Sequence, residues 1–347
     1  MTDLDSLVAH QSILVTGAAG FIGSHLVETL LKAGAKVIGV DNFLTGSQKN
    51  LSEVAENLGE VFQPGKNWWF IEADVNQSPA KYLTPEILAA AGQIQTVLHF
   101  ASPASPPRYQ AHPVATYLVN SLATHELLEW LKVAAPAAKF LFASTSEIYG
   151  DPAVHPQTES YWGNVNPNGI RSCYDEGKRL GETICGVHER DFGQDVRIAR
   201  IFNTYGPRIA LDDGRVIPNF IDQALKGEAL TIYGSGQQTR SYCYVTDLVA
   251  GILTLALTPG LKGQTVNLGN PEEFSLLETA ELVTEAVTGQ KPTPDQLKYL
   301  PLPGDDPTRR KPDISRAAQV LGWQPEVSFE TGLKLTVAYF KNQMNHA

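Results

Sequence analysis

The sequence predicts an α/β fold: a doubly wound parallel sheet joined to a smaller α/β substrate-binding domain. Three features predict it. Through the first 200 residues, short apolar runs alternate with helical patterns, the order expected of βαβ units. Runs such as FLFAS are continuously apolar, which suits strands covered on both faces. After Phe202 the texture changes to Gly-, Pro- and Asp-rich segments between helices, among them NTYGPRIALDDGR, YGSGQQTRS and YLPLPGDDPTRRKPD.

In chain order, the expected buried strands are Ile13–Thr16, Val37–Val40, Trp68–Glu72, Val97–Phe100, Phe140–Ser144 and Val196–Phe202. Between them, Gly20–Ala33, His112–Lys132 and Cys173–Asp191 carry the apolar spacing of helices. Residues Ser47–Lys66 are expected to form a loop or short-helix excursion. Further helices are expected near Val216–Lys226, Val245–Ala256, Leu276–Thr288 and Ile314–Leu321. Loops of the composition that separates them suit a small domain over the carboxyl edge of the sheet, where ligands of open α/β sheets bind.

Gly17, Gly20 and Gly23 form G-x-x-G-x-x-G between the strand ILVT and a helical run, which makes the larger domain Rossmann-like. Glycines there allow a tight turn and close approach of a pyrophosphate, and the helix N-terminus offers unpaired N–H groups. The next strand ends at Asp41, 18 residues beyond Gly23. A carboxylate there accepts bonds from ribose hydroxyls and repels a 2′-phosphate, so NAD is expected rather than NADP. Asp74, ending the third strand, either bonds the adenine amino group or caps a turn.

Of 347 residues, 43% are hydrophobic and 18% charged, enough apolar mass for a large core. A formal charge of −10 argues against nucleic acid or an anionic membrane as partner. It also makes clustered arginines informative. Cys173, Cys185 and Cys243 match no metal spacing and no disulfide framework, so no metal and a reducing, cytoplasmic setting are expected. MTDLDSLVAHQS has no apolar run of the signal-peptide kind, and no stretch approaches a membrane span.

Tyr174 and Lys178 stand four apart in SCYDEGKRLGE and share a helical face. A tyrosine at its ordinary pKa near 10 is a poor base at neutral pH, but an ammonium and a positive nicotinamide ring both favour its phenolate. Y-x-x-x-K alone is a common exposed helix pair; behind a strong dinucleotide motif it reads as catalytic. Ser144-Thr145-Ser146-Glu147 ends the strand FLFA. These residues either orient a sugar hydroxyl, with Glu147 as acid or base beside the ring, or form an ST-turn with a solvated glutamate.

The sequence resembles the extended short-chain dehydrogenase/reductases that act on nucleotide sugars, and within them the UDP-glucuronate decarboxylases (UDP-xylose synthases). The similarity rests on TGAAGFIGSHL, VDNFLTG, HFASPASPPRYQAHPVATYLVNSLAT, the block STSEIYG through RSCYDEGKRLGET, VRIARIFNTYGPRIALDDGRVIPNF, LTIYGSGQQTRSYCYVTDL and DDPTRRKPDISRAAQVLGW. It covers nearly the whole chain after residue 12. Ala18 stands where the family often has glycine, and Ser102 where Cys or Ala is usual.

The resemblance implies C4 oxidation with NAD⁺, loss of CO₂ from the carboxylate β to the new ketone, and re-reduction by the NADH formed. It implies an NAD-binding domain of residues 1–203 with 241–270, and a nucleotide-sugar-binding domain of 204–240 with 271–347. NAD would be held by Gly17, Gly20, Phe21, Ile22, Gly23, Asp41, Asn42, Asp74, Val75, Ala101, Ser144, Tyr174 and Lys178. Thr145 and Glu147 would face the reacting ring, and Arg310 the uronate carboxylate. UDP would meet Asn203, Tyr233, Arg240 and the helix start at Val216 and Asn219, while Ser105 and Tyr109 approach the hexuronate. Ser146 replaces the Asp of the 4,6-dehydratases, which disfavours water elimination. The family also implies a homodimer through the helices around His112–Lys132 and Cys173–Asp191. A 4-epimerase, a 4,6-dehydratase, a decarboxylase releasing the 4-keto pentose, and a non-catalytic NAD or nucleotide-sugar sensor are the alternatives.

Overall fold

The six apolar runs pair as parallel strands in a computed structural model that describes residues 7–302, 304–305 and 307–345. They are β1 (Ser12–Thr16), β2 (Lys36–Asp41), β3 (Trp68–Glu72), β4 (Ile94–His99), β5 (Lys139–Thr145) and β6 (Asp195–Ile201). A seventh strand, Thr265–Leu268, adds beside β6, giving the order β3-β2-β1-β4-β5-β6-seventh. The chain reverses direction across the sheet between β1 and β4, and ligands of open α/β sheets bind at that switch point. Residues 1–6 of the N-terminal stretch, and Pro303 and Asp306 of the YLPLPGDDPTRRKPD segment, lie outside the described residues.

The connecting helices are α1 (Phe21–Lys32), α2 (Gln48–Leu58), α3 (Pro85–Ala91), α4 (Pro106–Ala111), α5 (Pro113–Ala134) and α6 (Ser172–Phe192). Helix α2 is the expected excursion, now seen as three turns. Leu51, Val54 and Leu58 give it a buried stripe, and Ser47 Oγ accepts the Lys49 N–H at its start. Helices α5 and α6 pack closely because Gly177 and Gly181 lie one turn apart on the face of α6 toward α5. A Cβ on Gly181 would lie 2.6 Å from the Asn120 carbonyl oxygen and 2.3 Å from Phe142 Cζ. The same helix carries Tyr174 and Lys178, so this contact sets their height over the sheet.

The second half adds β7 (Thr204–Tyr205), α7 (Val216–Lys226), β8 (Leu230–Tyr233), β9 (Thr239–Ser241), β10 (Cys243–Tyr244) and α8 (Val245–Leu257). It continues with β11, the seventh sheet strand, then β12 (Glu273–Ser275), α9 (Leu276–Thr288), β13 (Leu297–Leu300), β14 (Arg309–Arg310), α10 (Ser315–Leu321) and α11 (Phe329–Asn345). Short pairs β8/β13 and β7/β10, and the triple β12-β9-β14, build the smaller layer. One apolar cluster fills each face of the large sheet, and a third, with Tyr205, Phe220, Ile232, Tyr242 and Phe329, fills the smaller part. Ala317 of α10 and Trp323 join the large-sheet cluster, and Trp323 Nε1 donates to the Asp247 carbonyl at 3.0 Å. Arg197, fully buried, pairs with Asp195 and donates to the carbonyls of Leu255, Ala256 and Thr258 at the end of α8. Those carbonyls have no partner within their helix, so the buried cation satisfies them and complements the negative helix end.

Candidate active site

The turn after β1 is shaped for a ligand's backbone. Gly17 has φ +72°, and a Cβ there would lie 2.7 Å from the Phe100 carbonyl carbon at the end of β4. A Cβ on Gly23 would sit 1.9 Å from the Gly17 carbonyl oxygen, so α1 can seat on the turn only with glycine there. The N-terminus of α1 is thereby held open at the switch point, with Gly20 as its N-cap and no side chain capping it. Asp41 ends β2, and its carboxylate accepts the N–H groups of Ala19 (2.9 Å) and Phe43 (2.8 Å). Burial raises its pKa while these bonds lower it. Each oxygen keeps a lone pair for a hydroxyl. Asp74 Oδ1 accepts the Asn76 N–H at 2.9 Å, so it does form a turn, and it also borders a small cavity of about 70 Å³. Asp41, Asn42, Val75 and Ala101 border that cavity too. The glycine cradle and the acidic strand end together fit an adenosine diphosphate without a 2′-phosphate.

A larger cavity of about 780 Å³ opens from the same turn over the ends of β5 and β6. Gly20, Phe21, Ile22, Gly23, Ser144, Thr145, Tyr174 and Lys178 line it, within the volume range of small-molecule sites. Lys178 is buried and donates from Nζ to the Ala143 carbonyl at 2.6 Å. Burial lowers its pKa to about 7. Nζ stands 5.7 Å from the centre of the Tyr174 ring. The expectation that this ammonium draws Tyr174 toward phenolate is not met in the protein alone: burial pushes the phenol well above its ordinary pKa. Thr145 and the Arg215 guanidinium pull it the other way. The Tyr109 ring stacks on Tyr174 with centres 5.0 Å apart and planes 4° from parallel. Tyr109 Oη and Ser105 Oγ are buried and have no hydrogen-bond partner among the described residues, and both residues line the cavity. Unsatisfied buried hydroxyls are costly, and a polyhydroxylated ligand would satisfy them.

Glu147 follows β5 on a short 3₁₀ turn whose start is bonded by Thr145 Oγ1 to the Glu147 N–H at 3.2 Å. Its carboxylate is gripped from two sides. Arg310 makes a two-pronged contact, with Nη2 to Oε2 at 3.0 Å and Nη1 to Oε1, and Arg171 Nη2 bonds Oε2. Burial alone would raise the Glu147 pKa, but Arg310 and Arg171 overcome it and hold the group at about 2. A solvated glutamate is therefore excluded, and so is an acid with a proton to give at neutral pH. Next along, burial and the Glu147 charge raise the Asp175 pKa to about 8. The clamp itself sets two guanidinium charges against one carboxylate.

The expected nucleotide-sugar residues gather at the other end of the same cavity. Val216 and Asn219 start α7, Asn203 follows β6, and Tyr233 ends β8; all four line the cavity. Arg240 on β9 is the register partner of Arg310 on β14 in a parallel pair, so both guanidiniums leave the same face of that small sheet. Arg240 Nη1 donates to the Thr239 carbonyl at 2.8 Å. Arg171 and Arg215 also line the cavity and were not foreseen. Arg171 precedes Tyr174 by three residues, one helical turn, which was the available signal; Arg215 stands just ahead of α7, paired with Asp213.

Residues 13–269 match the family described as "NAD dependent epimerase/dehydratase family". UDP-glucuronic acid decarboxylase 1 of Danio rerio is 46% identical over 96% of this chain and 73% of its own length. UDP-glucuronic acid decarboxylase 6 of Arabidopsis thaliana is 47% identical over 96% of this chain and 90% of its own. Among solved structures, the UDP-glucuronic acid 4-epimerase of Bacillus cereus, determined with NAD and a fluorinated UDP-glucuronic acid, aligns with a TM-score of 0.81. That pair is 29% identical, covering 96% of this chain and all of the other.

Proposed function

The chain belongs to the NAD dependent epimerase/dehydratase family, and within it we propose that it converts UDP-glucuronate to UDP-xylose and CO₂, with NAD as its cofactor. The observation that carries the proposal is the Glu147 carboxylate held between Arg171 and Arg310 beside Tyr174. Arg171 and Arg310 against Glu147 leave the clamp one positive charge in excess, burial disfavours a charge on Asp175 beside it, and an anionic sugar carboxylate balances the excess. A neutral hexose would leave the excess uncompensated in a buried setting.

NAD supplies a hydride acceptor at sugar C4 and afterwards a hydride donor; the protein's residues do the rest. With the positive ring of bound NAD⁺ offsetting the burial that keeps it protonated, Tyr174 becomes a phenolate and, aligned by Thr145, takes the proton of the C4 hydroxyl. Arg310 and Arg171 hold the carboxylate on C5, and Glu147 orients both guanidiniums. Once C4 is a ketone, the C5–C6 bond breaks with its electron pair passing toward the C4 oxygen, and CO₂ leaves. C5 of the enolate then takes a proton from water, and the C4 oxygen regains its proton from Tyr174 as C4 is re-reduced. The Tyr174 phenol, favoured in its protonated form by burial, donates a hydrogen bond to that oxygen. Ser105 and Tyr109 contact the sugar, and Asn203, Tyr233, Arg240, Val216 and Asn219 the UDP. The remaining assignments belong to the same proposal: domains of 1–203 with 241–270 and of 204–240 with 271–347, a homodimer and a cytoplasmic location. No helix among the described residues is long and apolar enough to cross a membrane. Leu122 of α5 and Leu180 of α6 are exposed, which supports pairing through these helices.

Incubating the purified protein with UDP-glucuronate, without added NADH, and analysing products by mass spectrometry tests the proposal. UDP-xylose with stoichiometric CO₂ is the expected outcome. UDP-galacturonate would make it an epimerase, free UDP-4-keto-pentose with accumulated NADH a releasing decarboxylase, and binding without turnover a sensor.

A further inference from the structure

Away from the cavity, α5 and α6 bring together His125, Glu129 and His188, whose ligating atoms all lie within 4.8 Å of one another. We propose that these three side chains form a binding site for a first-row divalent cation, zinc fitting them best. His125 and Glu129 are four apart on α5 and share a face, while His188 reaches them from α6. Two imidazoles and a carboxylate suit zinc, with a fourth position left to water.

The hydrogen bonds around His188 prepare it as a ligand. Gln194 Nε2 donates to the Leu128 carbonyl at 3.0 Å, which fixes the amide so that Oε1 faces His188 Nδ1 at 2.7 Å. Nδ1 must then carry the hydrogen, and the Nε2 lone pair of the neutral ring points toward Glu129 Oε1, 3.7 Å away. Two acceptors facing each other need a proton or a cation between them. His188 is held there inside the packed α5–α6 seam, with side-chain exposure only 3%. The 3.7 Å separation is close to the ~3.3 Å between two ligands bonded at ~2.0–2.1 Å to a tetrahedral centre. A partner on the outer ring nitrogen is also how metal-bound histidines are ordinarily oriented. Lys132 Nζ now sits on both Glu129 oxygens, at 2.9 and 3.1 Å, so a metal would compete with that ammonium. His188 lies 14 residues beyond Tyr174 on α6, about 21 Å along the axis, so the ion would brace α5 on α6 without touching the reaction.

The test uses the untagged, NAD-loaded protein after chelator treatment, titrated with zinc by calorimetry. We expect one zinc per chain and a Tm rise of about 3–5 °C at saturation. Cobalt in place of zinc should give the visible bands of a four-coordinate site. His125 is exposed, so His125→Ala should fold normally, weaken zinc binding by about tenfold or more and remove the Tm rise. Lys132→Ala should bind zinc more tightly, and His10→Ala, on a distant exposed histidine, should bind as the parent does. Parent-like zinc binding by His125→Ala, or no uptake by the parent at about 0.1 mM zinc, would overturn the site.

Discussion

Glu147→Gln isolates the two-arginine clamp. The side chain keeps its size but loses the charge that Arg171 and Arg310 share, leaving two guanidiniums, 7% and 3% exposed, around a neutral amide. Removing one partner from a buried ion pair costs about 3–5 kcal/mol. At about 2.1 cal/mol/K per residue, 347 residues unfold with roughly 0.7 kcal/mol/K, so Tm should fall by about 4–7 °C. The sign with pH follows from the depressed pKa. Glu147 contributes fully above the ordinary value of 4.5, and its contribution is lost as pH falls toward about 2. The Glu147 contribution to the Tm difference between parent and variant should therefore shrink below about pH 4.5. Because the Glu147 charge also raises the Asp175 pKa, the difference should narrow again as pH rises toward about 8. An added carboxylate should restore what the mutation removes: UDP-glucuronate should raise the Tm of the variant more than that of the parent, and UDP-glucose should not. Scanning calorimetry with each nucleotide sugar measures all three. A Tm loss under about 1 °C, or equal rescue by UDP-glucose, would refute the charge argument.

Three further substitutions probe the neighbouring parts. Tyr174→Phe should lower kcat by about 10³-fold while UDP affinity stays within a factor of about three, measured by product analysis and calorimetry; near-normal turnover would remove its assigned role. Asp41→Ser should weaken NAD binding by about tenfold and narrow its preference over NADP, read by fluorescence titration with both dinucleotides. Gly181→Ala should cost about 1–3 kcal/mol in urea unfolding, because the new methyl meets Asn120 and Phe142; unchanged stability would mean α5 and α6 can separate freely.

The large sheet was legible because its first six strands are short, mainly apolar runs set off from their helices by turns, with β6 interrupted by Arg197 and Arg200. What escaped is equally physical. Thr265–Leu268 has four residues, too few to separate a strand from any short apolar run. For Ser47–Lys66 the sequence leaves a loop or a short helix open, and the helix forms because Leu51, Val54 and Leu58 stand at helical spacing behind a serine cap. The charged residues between them dilute that stripe. The two- and three-residue strands β7, β9, β10, β12 and β14 have no local signature, since pairing with distant segments is all that makes them strands.

That last point decides how the site itself could be read. Glu147, Tyr174 and Lys178 lie within 32 residues, on one strand end and one helix, so their proximity follows from local pattern and the parallel crossover. Arg310 is 163 residues from Glu147 and reaches it because β14 pairs with β9. No periodicity encodes that contact, which is why its assignment needed the family resemblance. The contact also changes the part Glu147 can play. Between two guanidiniums it stays ionised, so it cannot protonate the sugar, and it partly neutralises the cations that would otherwise hold the substrate carboxylate too firmly. A fully unopposed pair of arginines would stabilise the carboxylate before reaction and raise the barrier to losing it as CO₂. An arginine pair already shared with Glu147 binds the anion with one surplus charge, enough for recognition. When the C5–C6 bond breaks, negative charge leaves that cluster for the C4 oxygen, where Tyr174 and Thr145 wait. On this argument the fate of the ketone depends on Glu147 as a counter-charge and not as a proton donor.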